Sequence, residues 1–194
     1  MDRVDRDAAG TGSLPRGAKA SGGARLLRAR RWALAAALVG TPYLAISVIW
    51  GLGGTWLLET VGGSLAVGGR AGSPIVVAAV WAAVFLKAIA VLLPFAAIRR
   101  DLSEGLRRCI RLLCVAEAII LTSYGTILTI VGLMVQSGLI EASSDADHRA
   151  LAWHAFLWDP WFAAWGVLVV MFLRASRSGL TSMAEGDRPG RLVG

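Results

Sequence analysis

Four apolar stretches, at about residues 32–51, 74–98, 109–136 and 153–176, restrict what this chain can fold into. Each is long enough, or nearly so, to cross a hydrocarbon core of about 30 Å at about 1.5 Å per helical residue. Only Lys87 and Glu117 carry charge well inside these stretches; Arg111 and Asp159 lie nearer the ends. The chain is 56% hydrophobic, with mean hydropathy +0.61, whereas a soluble domain breaks its apolar runs with charges. The expected fold is all-α: a polytopic membrane protein built as a four-transmembrane-helix bundle. One membrane domain, 32–178, is expected between a disordered basic tail, 1–31, and a second tail, 179–194. That leaves no room for a soluble catalytic domain.

Charge orients the bundle. Residues 1–31 hold eight Lys/Arg, residues 98–111 hold five and residues 174–194 hold four, while the other two connections hold only Arg70 and Arg149. Basic segments stay cytoplasmic during insertion. The expectation is a multi-pass protein of the cell membrane, both termini cytoplasmic, with loops 52–73 and 137–152 outside. Topology and anionic headgroups explain the high pI, so no nucleic-acid partner is expected. Cys109 and Cys114 are five apart, not in a C-x-x-C motif, and read as small apolar helix residues. Arg30-Arg31 before the first apolar run resembles a twin-arginine signal, but the run is full-length and reads as a retained helix.

Locally, Pro42 should bend helix 1, and Ala36 with Gly40 should allow close helix contact. Ser73-Pro74 reads as an N-cap and first helical residue. Ala79, Ala83, Lys87 and Ala90 form one small, polar face expected to point into the bundle. The short charged connection near residues 99–108 makes the second and third spans antiparallel neighbours. The last span is expected to start at Pro160, after Asp159, with a longer helix from about Leu151 kinked at Pro160 as the alternative.

Two constellations could carry chemistry. Counted from the helix ends, Lys87 lies about 17 Å deep and Glu117 about 13 Å, at ~1.5 Å per residue, so the two should meet. With Tyr43 and Tyr124 they form a candidate intramembrane polar site, either a proton relay or ligand site, or an ion pair that fixes helix packing. The second is an outer aromatic cluster of Trp50, Trp56, Trp158 and Trp161 with His154 and Asp159, flanked by Trp153 and Trp165. It reads either as an interfacial aromatic belt or as a shallow pocket for a lipid, a quinone or a partner helix. No catalytic, cofactor-binding or metal-ligating set is found, and no cofactor is expected: His148 and His154 stand alone, without cysteine on that side.

WGLGGTW at residues 50–56 and LWDPWFAAWG at residues 157–166 resemble a family of small actinobacterial four-helix integral membrane proteins of unknown function. The resemblance runs from helix 1 to the end of helix 4 and implies a bacterial inner membrane and four helices, but no activity. Members carry a histidine three residues before the first tryptophan; Ser47 stands there, against any histidine-dependent role. Three function classes remain. The favoured one is a non-catalytic membrane protein that binds a partner or a lipid, with the bilayer and either further copies of itself or a membrane partner protein around it. The alternatives are a small proton-coupled transporter, oligomeric and using Lys87 and Glu117, and a membrane enzyme or redox helper acting on a lipid or quinone at the aromatic cluster.

Overall fold

The computed structural model describes the backbone of residues 16–99 and 101–177 and the side chains of 23–99 and 101–176. The helices are α1 (Arg16–Gly51), α2 (Gly63–Arg70), α3 (Pro74–Ala97), α4 (Glu104–Gln136), α5 (His148–Trp153) and α6 (Asp159–Arg177). A 3₁₀ turn, Leu58–Thr60, precedes α2, and a π turn, His154–Trp158, joins α5 to α6 without a break. Four segments are long and apolar enough to cross a membrane: Gly23–Gly51, Pro74–Ala97, Glu104–Gln136 and His148–Ser176.

Close contacts fix the register. Gly51 touches Trp81, Ser47 touches Lys87 and Gly40 approaches Val91, so α1 and α3 run antiparallel. Tyr43 meets Trp158 and Trp161, and Gly40 lies under Trp165, so α1 and α6 are antiparallel too. Gly132 packs on Ala155, Gly125 on Ala163 and Gly166 on Thr122, which sets α4 antiparallel to α6. The helices pack in the cyclic order α1–α3–α4–α6, each on two neighbours, and α4–α6 is the most intimate side. The core lies where Ala29, Ala33 and Ala36 of α1 meet Cys114 and Ala118 of α4 and Trp165, Val169 and Phe172 of α6. Outward, α3 presents Phe85, Leu86, Ile89 and Leu92, and α4 presents Leu112, Ile119, Ile120 and Ile127.

Two expectations need correction. Helix α1 starts at Arg16, inside the segment 1–31 expected to be disordered; residues 1–15 lie outside the described residues. Alanine, leucine and arginine are strong helix formers, and the buried Ala29 and Ala33 reward continuing the helix through them. The last span does not begin at Pro160. Asp147 caps α5 by accepting from the Arg149 and Ala150 amides, and the helix runs on into α6. The Asp159 amide reaches back five residues to the His154 carbonyl, and this wider turn takes up the proline, which has no N–H to donate. On α3 Lys87 reaches Ser47 of α1 and Ala90 packs against the core, so the small face points inward except at Ala79, which is exposed.

At the end opposite the 52–73 and 137–147 loops, Arg99 holds Asp101 through two hydrogen bonds of 2.5 and 3.0 Å. The guanidinium pulls the Asp101 carboxyl below its ordinary range. Ser103 then caps α4, accepting from the Leu106 amide. We call this the hairpin end, and the other the loop end.

Candidate functional site

Toward the loop end, aromatic residues from α1, the π turn and α6 form one packed stack. Trp158 is 1% exposed, and its ring meets Tyr43 at 5.3 Å, Trp50 at 6.2 Å and Trp161 at 6.3 Å between centroids. Tyr43 also meets Trp161 at 5.8 Å and Phe162 at 4.5 Å. Edge-to-face and offset contacts of this kind suit the ring quadrupoles.

The ring donors are used within the chain. Trp158 Nε1 donates to Thr60 Oγ1 at 3.1 Å, and Thr60 donates to the Leu57 carbonyl at 2.6 Å. Trp50 donates to the Trp56 carbonyl at 2.7 Å, and Trp81 to the Gly51 carbonyl at 3.0 Å. Trp161 donates to the Val39 carbonyl at 2.8 Å. That carbonyl lies one residue after Leu38, whose carbonyl Pro42, four residues on, leaves without a helical donor.

His154 stands with Nδ1 3.3 Å from Asp159 Oδ1 and Nε2 3.3 Å from the Val61 carbonyl. Asp159 is 4% exposed. A neutral imidazole has one donor, so it hydrogen-bonds one of these acceptors; the imidazolium bonds both. With the Trp158–Thr60 bond, these contacts tie the 57–62 segment onto the π turn. Gly62 completes the joint: its φ is +66°, and a Cβ there would lie 2.5 Å from the Ala150 Cβ. The docked segment leaves Leu52, Trp56 and Val67 exposed, beside an ion pair of Arg70 and Glu59 at 2.7 Å. Glu59, Arg70, Asp147 and Arg149 line an open cleft of about 320 Å³ there.

The second site lies between α1 and α3. Lys87 Nζ donates to Ser47 Oγ at 2.6 Å and lies 4.5 Å from the Tyr43 ring centroid, while Ser47 donates to the Tyr43 carbonyl at 3.0 Å. The ammonium is held by one acceptor and one π face. Glu117 is elsewhere: both its oxygens are buried and without a hydrogen-bond partner. The expected Lys87–Glu117 meeting is therefore corrected, and register is the reason. Lys87 sits at Tyr43, Tyr43 at Phe162, and Phe162 at Tyr124, 6.0 Å between centroids. Glu117 precedes Tyr124 by two turns, about 10 Å at ~1.5 Å per residue. The depth count failed because it took the ends of the two apolar runs as level, whereas the contacts place Glu117 about two turns nearer the hairpin end than Lys87.

All ten candidate residues are thus placed. Tyr43, Trp50, His154, Trp158, Asp159 and Trp161 come together; Lys87 joins them through Tyr43; Tyr124, 53% exposed, touches only the edge through Phe162. Trp56, 61% exposed, contributes its carbonyl. Glu117 stands apart, and Trp165 belongs to the core. Sequence reasoning missed Thr60, Val61 and the Val39 carbonyl as partners, and treated Ser47 only as a histidine replaced. No pattern points to contacts between residues more than ninety apart; Ser47, one turn after Tyr43 on α1, was the one legible partner. Among the described residues no three or more His, Cys, Asp or Glu gather as metal ligands.

The profile of a family of proteins of unknown function, DUF3995, matches residues 42–169, well over half of the chain. The chain belongs to the DUF3995 family. No curated protein and no solved structure matches it. The DUF3995 region begins at Pro42 and closes at Val169, so it holds both sites except the Val39 carbonyl that accepts from Trp161, while the Ala29–Ala36 stripe precedes it.

Proposed function

We propose that this DUF3995 protein is a non-catalytic integral membrane protein that binds a partner protein or a lipid at its loop end. One observation carries the reading: the aromatic cluster spends its N–H groups on the chain itself and holds segment 57–62 as a plate, with Leu52, Trp56 and Val67 exposed on the chain at either side of it. An apolar, aromatic surface rimmed by paired charges suits the bilayer interface or a docked partner. Seventeen of the twenty Lys/Arg residues fall at the hairpin end and the two termini, which supports a cytoplasmic hairpin end, cytoplasmic termini and an outward-facing plate. The cell membrane of a bacterium, with an actinobacterial source, belongs to the same reading and rests on composition and the two tryptophan motifs.

The test is native mass spectrometry of the protein released from lipid nanodiscs. A lipid or second protein held at fixed stoichiometry by the wild type and lost in Trp56→Ser supports the reading. A bare protein, or a bare homo-oligomer, counts against it. An enzyme acting on a lipid or quinone here has less support, because both ring nitrogens of His154 already face acceptors within the chain.

A second reading, a proton-coupled carrier working as an oligomer, is favoured by the unpartnered Glu117 carboxyl. A pH-driven flux in vesicles that Glu117→Gln abolishes supports it; no flux in the wild type removes it.

A further inference from the structure

The α4–α6 contact leaves three buried polar groups without a hydrogen-bond partner: both Glu117 oxygens, Thr122 Oγ1 and Trp165 Nε1. Thr122 and Trp165 lose their partners to tight packing, Thr122 against Gly166 and Trp165 against Gly40. Glu117 differs because it can ionise. It is 9% exposed and lies between Cys114 and Ala118, both deep in the apolar core with Val169 and Phe172.

Among the described residues no charge stands ready to neutralise it. On α4 the nearest titratable groups are Cys114 and Arg111, one and two turns toward the hairpin end. From α1 come Arg28, Arg30 and Arg31, all exposed. From α3 come Lys87, held by Ser47 two turns away, and Arg99, held by Asp101. From α6 come Asp159, paired with His154, and Arg174, which has an interaction of its own. An ionised carboxylate with neither partner nor water bears a large desolvation cost, and the neutral acid does not.

We propose that Glu117 is a proton-binding site inside the bundle, occupied as the neutral acid at rest and released to the carboxylate in alkaline surroundings. The ligand is a proton rather than a metal ion or a cationic group because the packing leaves no volume: Cys114 is 0% and Ala118 3% exposed. A metal ion would also need several oxygen ligands, and the carboxyl stands alone. The step is the association of one proton with one Glu117 oxygen, and its exchange partner is water.

Proton binding at Glu117 does not require transport. Difference infrared spectroscopy of the full-length protein in lipid nanodiscs, stepped from acid to alkaline pH, reads the protonated carboxyl directly. The expected result is loss of a protonated-carboxyl band in the wild type that is missing from Glu117→Gln. In parallel, a hydrophobic carbodiimide should label the Glu117 peptide of the wild type. Its yield should fall about tenfold per pH unit above the midpoint and be indifferent to sodium or potassium. This arm decides if Glu117→Gln does not fold. A band unchanged by pH and a pH-independent adduct mean a permanently neutral structural acid, and overturn the proposal. Identical infrared differences in wild type and folded Glu117→Gln overturn it too, as does protection by sodium at fixed pH, which would mean a metal-ion site. A titrating Glu117 in a protein without flux keeps this site and removes only the carrier reading.

Discussion

Replacing Gly125 with alanine tests the α4–α6 contact at its tightest point. A Cβ at Gly125 would fall on the Ala163 amide nitrogen, 2.7 Å from the Asp159 carbonyl oxygen and 2.9 Å from the Ala163 Cα. All three are backbone atoms of one helix, so no rotamer change relieves them. Ordinary carbon–carbon contact is about 3.5–4.0 Å, so the helices must part by roughly 1 Å, and a gap of that size forfeits about a quarter to a half of each neighbouring dispersion contact. Overpacking costs ~1–3 kcal/mol, and rigid atoms on both sides place Gly125→Ala near ~3 kcal/mol. Gly105, in the first turn of α4, has nothing within 4 Å of its would-be Cβ, so Gly105→Ala should be neutral or gain up to ~1 kcal/mol from helix propensity. Reversible unfolding of both variants in mixed micelles, followed by tryptophan fluorescence and circular dichroism, measures the difference. Equal stability of Gly125→Ala and Gly105→Ala would refute the α4–α6 register and every depth argument built on it.

Other predictions follow from single contacts. Ser47→Ala removes the acceptor of Lys87 and should destabilise by ~1–3 kcal/mol, whereas adding Lys87→Met should restore most of the loss; a double-mutant cycle reads the coupling. Trp158→Phe leaves the Thr60 hydroxyl without its donor and should cost ~1–2 kcal/mol, seen as faster amide exchange in segment 57–62. Gly62→Ala combines positive φ with a clash on Ala150 and should loosen the same segment, read by limited proteolysis between residues 52 and 63. Asp101, whose folded carboxyl is held below its ordinary range by Arg99, contributes stability that is present above the unfolded value and lost as pH falls through the folded one; Arg99→Gln should return its NMR titration midpoint toward the ordinary range.

The four spans were legible because length and apolarity alone define them, and the structure has four helices that meet both conditions. The close approach at Gly40 was legible too, since small residues four apart admit a neighbour, here Trp165. What escaped was everything set by register between helices. Lys87 and Glu117 were matched in depth from apolar-run ends taken as level, but the packing offsets the two helices so that Lys87 stands level with Tyr124. Pro160 argued for a helix start, yet a single π hydrogen bond lets the helix pass through it. A proline without an N–H reads the same in sequence whether the helix begins there or widens to admit it.

The π turn also keeps a phase. In an α-helix each residue advances the face by about 100° and the axis by ~1.5 Å, so one residue held in a wider turn offsets everything on one side from everything on the other. Drawing the same residues 154–158 into an unbroken α-helical ladder, with none removed, would rotate α5 by about 100° against α6. His154 would then swing away from Val61, Ala150 from Gly62 and Ala155 from Gly132, so the loop-end plate would come loose while the rest of the bundle stayed intact. The chain couples its outermost segment to its core through the count of residues in that turn, not through any one side chain.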